Sequence, residues 1–574
     1  MLNMKKQILL LLSFALALGG QAVAQTAKTY KNASAGNPIS PCIFCADPTA
    51  LVYDGRLYVY GSNDHQQYVA NGKTGENSYG AIKSLVVFST DDMVNWTFNG
   101  TIDVAKLCSS WGWRFADSWA PSATWRLNAD GQPEFFLYFA NGGGSVGVLR
   151  AASPVGPFRS PLSQPMIDGN TPGVKPCNWV FDPGVVIDDD GTGWIAFGGG
   201  DPNSQGTKLM PGNARIARLN SSMTGLDGAA VALPAPYMFE ANELNMMDGR
   251  FVYTFNTSWS DRNDWSSYAG RGSFAAPSSC SMCYMVSSTP LDPASWQYRG
   301  EYVANPGSFG FGYGNNHTHL QKFGDKYYLF YHSSMLLQAM NTSDASGFRS
   351  LCVDEVTVKE STPSIGKFTM TRAGVAAIKN LNPYEQQQME TMSTSGGVNY
   401  EDFYNTASAT TVSSLHNDAS KNLQVKMAAG AWTMLRKVDF GSRGAQAFTL
   451  RAKGTGTLEV RLNTVSAKPA AVVEVSSSTL QEHTVSLDPA AFTGVRNLFL
   501  VCTASENMLV DEWRFTEYDA SAVGSVPADA QPTAVYDLSG QRVVNGSGVR
   551  GGLVIEKVVD GSGRNTVGRK VIVR

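Results

Sequence analysis

The sequence predicts an all-β protein: a five-bladed β-propeller, then a β-sandwich (jelly-roll) module, then a small C-terminal β tail. Three observations predict it. One strand pattern recurs five times between about residues 40 and 380. The composition is low in charge and rich in glycine and aromatic residues. Residue usage shifts after Pro383 toward Ser, Thr and Ala.

At 574 residues the chain is too long for one ordinary domain. Charged residues are 16%, aromatic residues 11%, and 57 positions are Gly, which suits a turn-rich β protein and not a coiled coil or disordered chain. The formal net charge of -3 gives no electrostatic case for a nucleic-acid partner.

Residues 1–24 read as a signal peptide. Lys5 and Lys6 precede a short apolar run, Ile8 to Leu18, and Ala22-Val23-Ala24 offers a cleavage site. The run is short for a membrane span, so an exported, soluble, secreted or cell-surface protein is expected. Eight Cys, including the pairs Cys42/Cys45 and Cys280/Cys283, are too scattered for a compact zinc ribbon. Export permits disulfides; disulfides and buried thiols both stay open.

The propeller region spans residues 25–383. Its repeats begin "DGRLYVYGS" at Asp54, "GQPEFFLYFA" at Gly131, "DGTGWIAFGG" at Asp190, "DGRFVYTFN" at Asp248 and "GDKYYLFYHS" at Gly324. Each is a Gly/Asp turn followed by aromatic and β-branched residues, a hairpin signature. A second strand follows each. Five such units without amphipathic helices between them argue for a radial repeat. Upstream of the turns stand "CADP" with Asp47, "SWAPS", "VFDPG" with Asp182, "MFEAN" with Glu240 and "GNNHTH" with His317. The first strands of propeller blades line one channel, so Asp47, Asp182, Glu240 and His317 are expected to converge.

Converging carboxyls suit glycoside hydrolysis. One activates water, the other protonates the leaving oxygen, and a third raises the acid's pKa. These segments, in this order, resemble glycoside hydrolase family 43. The resemblance implies a five-bladed propeller and inversion, with Asp47 as general base, Glu240 as general acid and Asp182 as the residue that tunes and orients the acid. It also implies an axial metal position at His317, with a structural calcium as the only cofactor and none needed for chemistry. It further implies substrate contact by Arg349. Trp119 and Phe181 are candidate sugar platforms, with Phe44, Trp179 and Trp259 behind them. Two departures stand out: "WAPS" where the family often has an acid, and Glu240-Ala241-Asn242-Glu243 around the acid, which makes Glu243 a rival.

Residues 384–520 resemble carbohydrate-binding module family 6. By that resemblance Glu390 and Asp511 match a structural calcium site, Gln388 replaces a common Glu there, and Trp432 and Asn507 match ligand positions. Residues 521–574, with "TAVYDLSGQRV" and "GRKVIVR", resemble a type IX secretion sorting tail. Together the resemblances imply a monomeric enzyme that removes α-L-arabinofuranosyl groups from arabinoxylan or arabino-oligosaccharides of the plant cell wall. The alternatives are a β-xylosidase or endo-arabinanase of the same family, and a glycan-binding propeller without catalysis.

Overall fold

The computed structural model describes residues 25–405 and 416–519, and the backbone of five strands between 531 and 572. The signal peptide predicted over residues 1–24 lies outside the described residues.

Five antiparallel sheets form the propeller. Their first strands are Ala46–Tyr53, Trp119–Leu127, Gly184–Ile187, Met238–Met247 and Thr318–Phe323. Each pairs with the strand that follows the Gly/Asp turn. In blades one and four the turns are the dipeptides Asp54-Gly55 and Asp248-Gly249, with φ of 48° and 71°, and of 49° and 68°. Two consecutive positive φ values give the tight hairpin turn that matches strand twist. The first strands also touch the first strands of neighbouring blades, in a ring running one–two–three–four–five–one.

Blade five has three paired strands, Thr318–Phe323, Lys326–Ser333 and Ser350–Val356. An extended N-terminal strap runs along its outer side. The Ile39 N–H donates to Leu351 O at 2.8 Å, and the Asn37 amide donates to Val353 O at 2.9 Å and Thr371 O at 2.8 Å. The strap then enters blade one at Asp47, which ties the first blade to the last.

The module is a β-sandwich built around the long strand Val495–Glu517, which pairs with Trp432–Asp439, Leu423–Lys426 and Ala445–Leu462. It is joined to the propeller through a strand. Thr391–Met392 pairs antiparallel with Thr97 and Trp96 on the outer strand of blade one. One apolar core runs through both, from Val59 and Phe98 to Leu435, Phe448 and Trp513. The C-terminal tail strands form a separate five-stranded sheet. Among the described residues, no helix is long and apolar enough to cross a membrane. All eight cysteines are free thiols, which decides between the two readings left open above.

Candidate active site

The first strand of a blade enters the channel through a kink. Asp47, Ala120 and Asp182 each precede a proline, and each has a left-handed φ, 51°, 36° and 46°. Ala241, at 60°, takes this place in blade four. Pairing registers slip at these points in blades one, two and four. Such bulges re-aim side chains at sheet ends. Spacing to the turn glycine put Glu240 level with the two aspartates. The backbone instead places Ala241 level with them. Glu240 stands one residue earlier, in the position of Trp119 and Phe181, and still reaches the channel.

Asp47, Asp182 and Glu240 line one cavity of about 240 Å³ with Trp119, Trp179, Phe181 and Phe239. Tyr79, Asn315, Asn316, His317, His332 and Arg349 complete it. The volume is below the roughly 300–1,000 Å³ of pockets that enclose drug-sized ligands. It suits one terminal sugar ring.

Asp47 is buried and held on all sides. Ser62 Oγ donates to Oδ2 at 2.7 Å, Arg349 Nη1 donates to Oδ1 at 2.7 Å, and His332 Nδ1 lies 3.2 Å from Oδ1. Burial alone would raise its pKa. Arg349, then His332 and His317, outweigh burial and hold it well below the ordinary carboxylate range. Asp47 is thus held as an anion.

Glu240 has the opposite environment. Burial first, and then the charge of Asp47, push its pKa up to about 7. Asn256 Nδ2 donates to Oε1 at 3.1 Å and fixes the head group. Asp182 Oδ2 accepts the N–H of Ala241 at 2.8 Å and so pins the residue next to the acid. Burial, Glu240 and Asp47 raise the pKa of Asp182 as well. The charge that acts on Glu240 is that of Asp47, and Asp182 is linked to it through the backbone bond to Ala241. Blades three and four close tightly here. A Cβ on Gly184 would come within 2.5 Å of Glu243 Cα, which explains the glycine after "FDP".

Other candidates fall elsewhere. Glu243 is buried 3.0 Å from His319 Nδ1 and does not line the cavity. Phe44 is a core residue packed on Tyr68 and Phe348, not a platform. Trp259 is half exposed and outside the cavity lining. His317 lines the cavity with Nδ1 3.8 Å from Asp47 Oδ1, and burial lowers its pKa to about 4. Among the described residues no group of three or more His, Cys, Asp or Glu side chains is placed to hold a metal. Sequence reading missed Tyr79, Asn315, Asn316, His332 and Phe239; Asn315 and Asn316 stand beside His317 in "GNNHTH" and Phe239 adjoins Glu240, so these three carried a local signal.

The module differs from its motif. Trp432 is only 4% exposed, and its indole N–H donates to Ala27 O at 2.8 Å. The Ala27 N–H donates to Gly430 O at 2.8 Å. The N-terminal strap therefore covers the ring, and Trp432 is not a sugar platform in this structure. Gly396 permits that approach, since a Cβ there would meet Ala27 O at 2.5 Å. Asn507 is exposed with φ 57°, and Val501 is the residue that pairs with Trp432. Glu390 and Asp511 are both buried and close, with the Met389 N–H bonded to Asp511 O at 2.9 Å. Glu390 Oε2 and Gln388 Oε1 have no hydrogen-bond partner. Two orphaned oxygens beside a second carboxylate suit a hard cation, although Arg451 Nη1 already lies 3.1 Å from Asp511 Oδ2.

Residues 35–363 match the family model described as glycosyl hydrolases family 43, and residues 388–517 that of carbohydrate binding module (family 6). The chain is 34% identical over 536 residues to an arabinoxylan arabinofuranohydrolase of Paenibacillus polymyxa, covering 89% of this chain and 80% of that protein. It is 35% identical over 520 residues to one from Bacillus subtilis (strain 168), covering 87% and 96%. A crystal structure of a family 43 arabinoxylan arabinofuranohydrolase from Bacillus subtilis, in complex with cellotetraose, superposes with a TM-score of 0.75 at 32% identity. That likeness covers 86% of this chain and 99% of the other. Matched across its propeller, over more than half of its length, the protein belongs to glycosyl hydrolase family 43 and is a glycosidase.

Proposed function

We propose that the protein removes terminal α-L-arabinofuranosyl groups from arabinoxylan with inversion. The observation that carries this is the small pocket, with an ionised carboxylate and a carboxyl titrating near neutrality facing one space under aromatic walls. The relatives named above, arabinoxylan arabinofuranohydrolases that align across propeller and module, support the choice of substrate.

In this reading a water beside Asp47 attacks the anomeric carbon and gives its proton to the carboxylate. The glycosidic C–O bond breaks, and the proton of Glu240 passes to the departing xylosyl oxygen. Inversion requires a base and acid roughly 6.5–9.5 Å apart, with the water between. Trp119 and Phe181 flank the sugar, and Asp182 keeps Glu240 in place.

The reading extends to the rest of the chain. Gln388, Glu390 and Asp511 would hold a structural calcium, supported by the two orphaned oxygens; it would brace the module and take no part in the chemistry. Export by the N-terminal segment and a sorting role for the tail are supported by the sequence patterns alone, and a monomeric state is part of the same reading.

NMR product analysis on wheat arabinoxylan, linear arabinan and xylo-oligosaccharides tests the proposal, with Glu240→Gln as control. Release of β-configured arabinose from arabinoxylan is expected. Xylose or arabino-oligosaccharides as the main product would overturn the substrate choice, and α-configured product would overturn inversion.

A further inference from the structure

A buried acid–cation–acid row lies under the pocket. Asp64 opens the short helix Asp64–Ala70 and is 0% exposed. Its Oδ2 accepts from Arg349 Nε at 2.9 Å, from the Arg349 backbone N–H at 3.1 Å and from Asn77 Nδ2 at 2.9 Å. Its Oδ1 accepts from Arg349 Nη2 at 2.8 Å. Both oxygens face only donors, so Asp64 is a carboxylate.

The guanidinium is a rigid planar fork. With Nε and Nη2 fixed on Asp64, the direction of Nη1 is fixed too. It points at Asp47 Oδ1, 2.7 Å away. The Tyr79 ring lies 5.1 Å from the guanidinium carbon and covers one face. A salt bridge serving stability alone would be complete with the two Asp64 bonds. Here the remaining nitrogen reaches the residue read as the base.

We propose that Asp64 is a positioning residue for hydrolysis. It clamps Arg349 so that one N–H is always directed at Asp47, and the base stays ionised and aimed. Arg349 on this account belongs to the base and not to substrate recognition. The inference rests on the assignment of Asp47 as general base.

The other titratable groups facing Asp47 and Arg349 are His332 and His317 from blade five, Glu240 from blade four, Asp182 from blade three, Tyr79, and Cys45 on the strap. None of them bonds two guanidinium nitrogens, so none can substitute for Asp64.

The test uses the full chain with Asp64→Asn, Arg349→Lys and Asp47→Asn, measuring kcat, KM and the pH profile on arabinoxylan, with calorimetry for the folded fraction. In Asp64→Asn, kcat should fall about 10²-fold, the cost of a misplaced catalytic group. KM should change less than about threefold, since uniform substrate binding is intact. The acid limb should move to higher pH, because displacement of the Arg349 guanidinium from Asp47 outweighs the loss of the repelling Asp64 charge, which alone would move the limb the other way. Arg349→Lys keeps the charge but not the fork and should move the limb the same way. A wild-type acid limb in Asp64→Asn, with activity lost only in proportion to unfolded protein, would overturn the proposal. So would a rise in KM alone. Should Asp64→Asn not fold, an unmoved limb in Arg349→Lys overturns it. Full activity in Asp47→Asn would sink the base assignment itself, whereas an inactive Asp47→Asn beside a normal Asp64→Asn sinks only this inference.

Discussion

Two regions carry sugar-site motifs, and they are built in opposite ways. In the propeller, three carboxyls and five aromatic rings line one pocket. In the module, the matching tryptophan lies under the chain's own N-terminal strap. The propeller leaves buried charge uncovered at a cost in solvation, which is how pKa values are tuned for chemistry. The module uses its aromatic residue as packing. A motif thus specifies a side chain's place on its own strand, and the rest of the chain decides whether that side chain is free.

The comparison breaks first at Glu240. Glu240→Gln removes the acid while keeping its shape. A loss of about 10³-fold in kcat, or about 4 kcal/mol of barrier, is expected with little change in melting temperature. A loss below tenfold by reducing-sugar assay would mean that another group supplies the proton. Trp432→Ala should do the reverse. It removes a buried ring and the bond to Ala27, so a stability loss of about 3–5 kcal/mol is expected in denaturant titration. The kcat of the folded fraction should not change. If arabinoxylan binding weakens instead and stability is unchanged, the module site is open in solution.

Gly396→Ala sharpens the same point. The new methyl would collide with Ala27 O, and overpacking of this kind costs about 1–3 kcal/mol. Hydrogen exchange at residues 27–31 should rise, and unchanged protection there would show that the strap does not depend on this contact. The smallest effect is a matter of pH. In the proposed mechanism Glu240 works protonated, and its pKa is pushed up to about 7, so kcat/KM should fall as pH rises through that value. In Asp47→Gln, the repulsion that helps hold the Glu240 proton is gone, and ¹³C NMR should find Glu240 titrating at lower pH.

The blades were legible because each repeats a turn dipeptide and an aromatic strand within one short stretch. Asp47 and Asp182 were legible because a proline follows each at a blade entrance. Glu240 was found by an offset that is one residue out of structural register, and the kink at Ala241 absorbs the difference. Asp64, Tyr79 and His332 were not legible as site residues. They lie on a short helix, a loop and a second strand; Tyr79 and His332 reach the pocket, and Asp64 lies beneath it, only because blades one and five close on each other. The covering of Trp432 was equally hidden, since Ala27 is 405 residues away in the chain.

That separation has a consequence for the order in which the molecule can form. A ribosome makes Ala27 early and Trp432 some four hundred residues later. The strap along blade five, and its end in the module, are therefore among the last contacts to settle. Contacts of such long range slow folding, because the loop must close before they reward it. Until then the growing chain has an incomplete ring, and after it the first and last thirds of the described protein unfold together. Late locking of this kind leaves the ring open until both ends of the described chain are present.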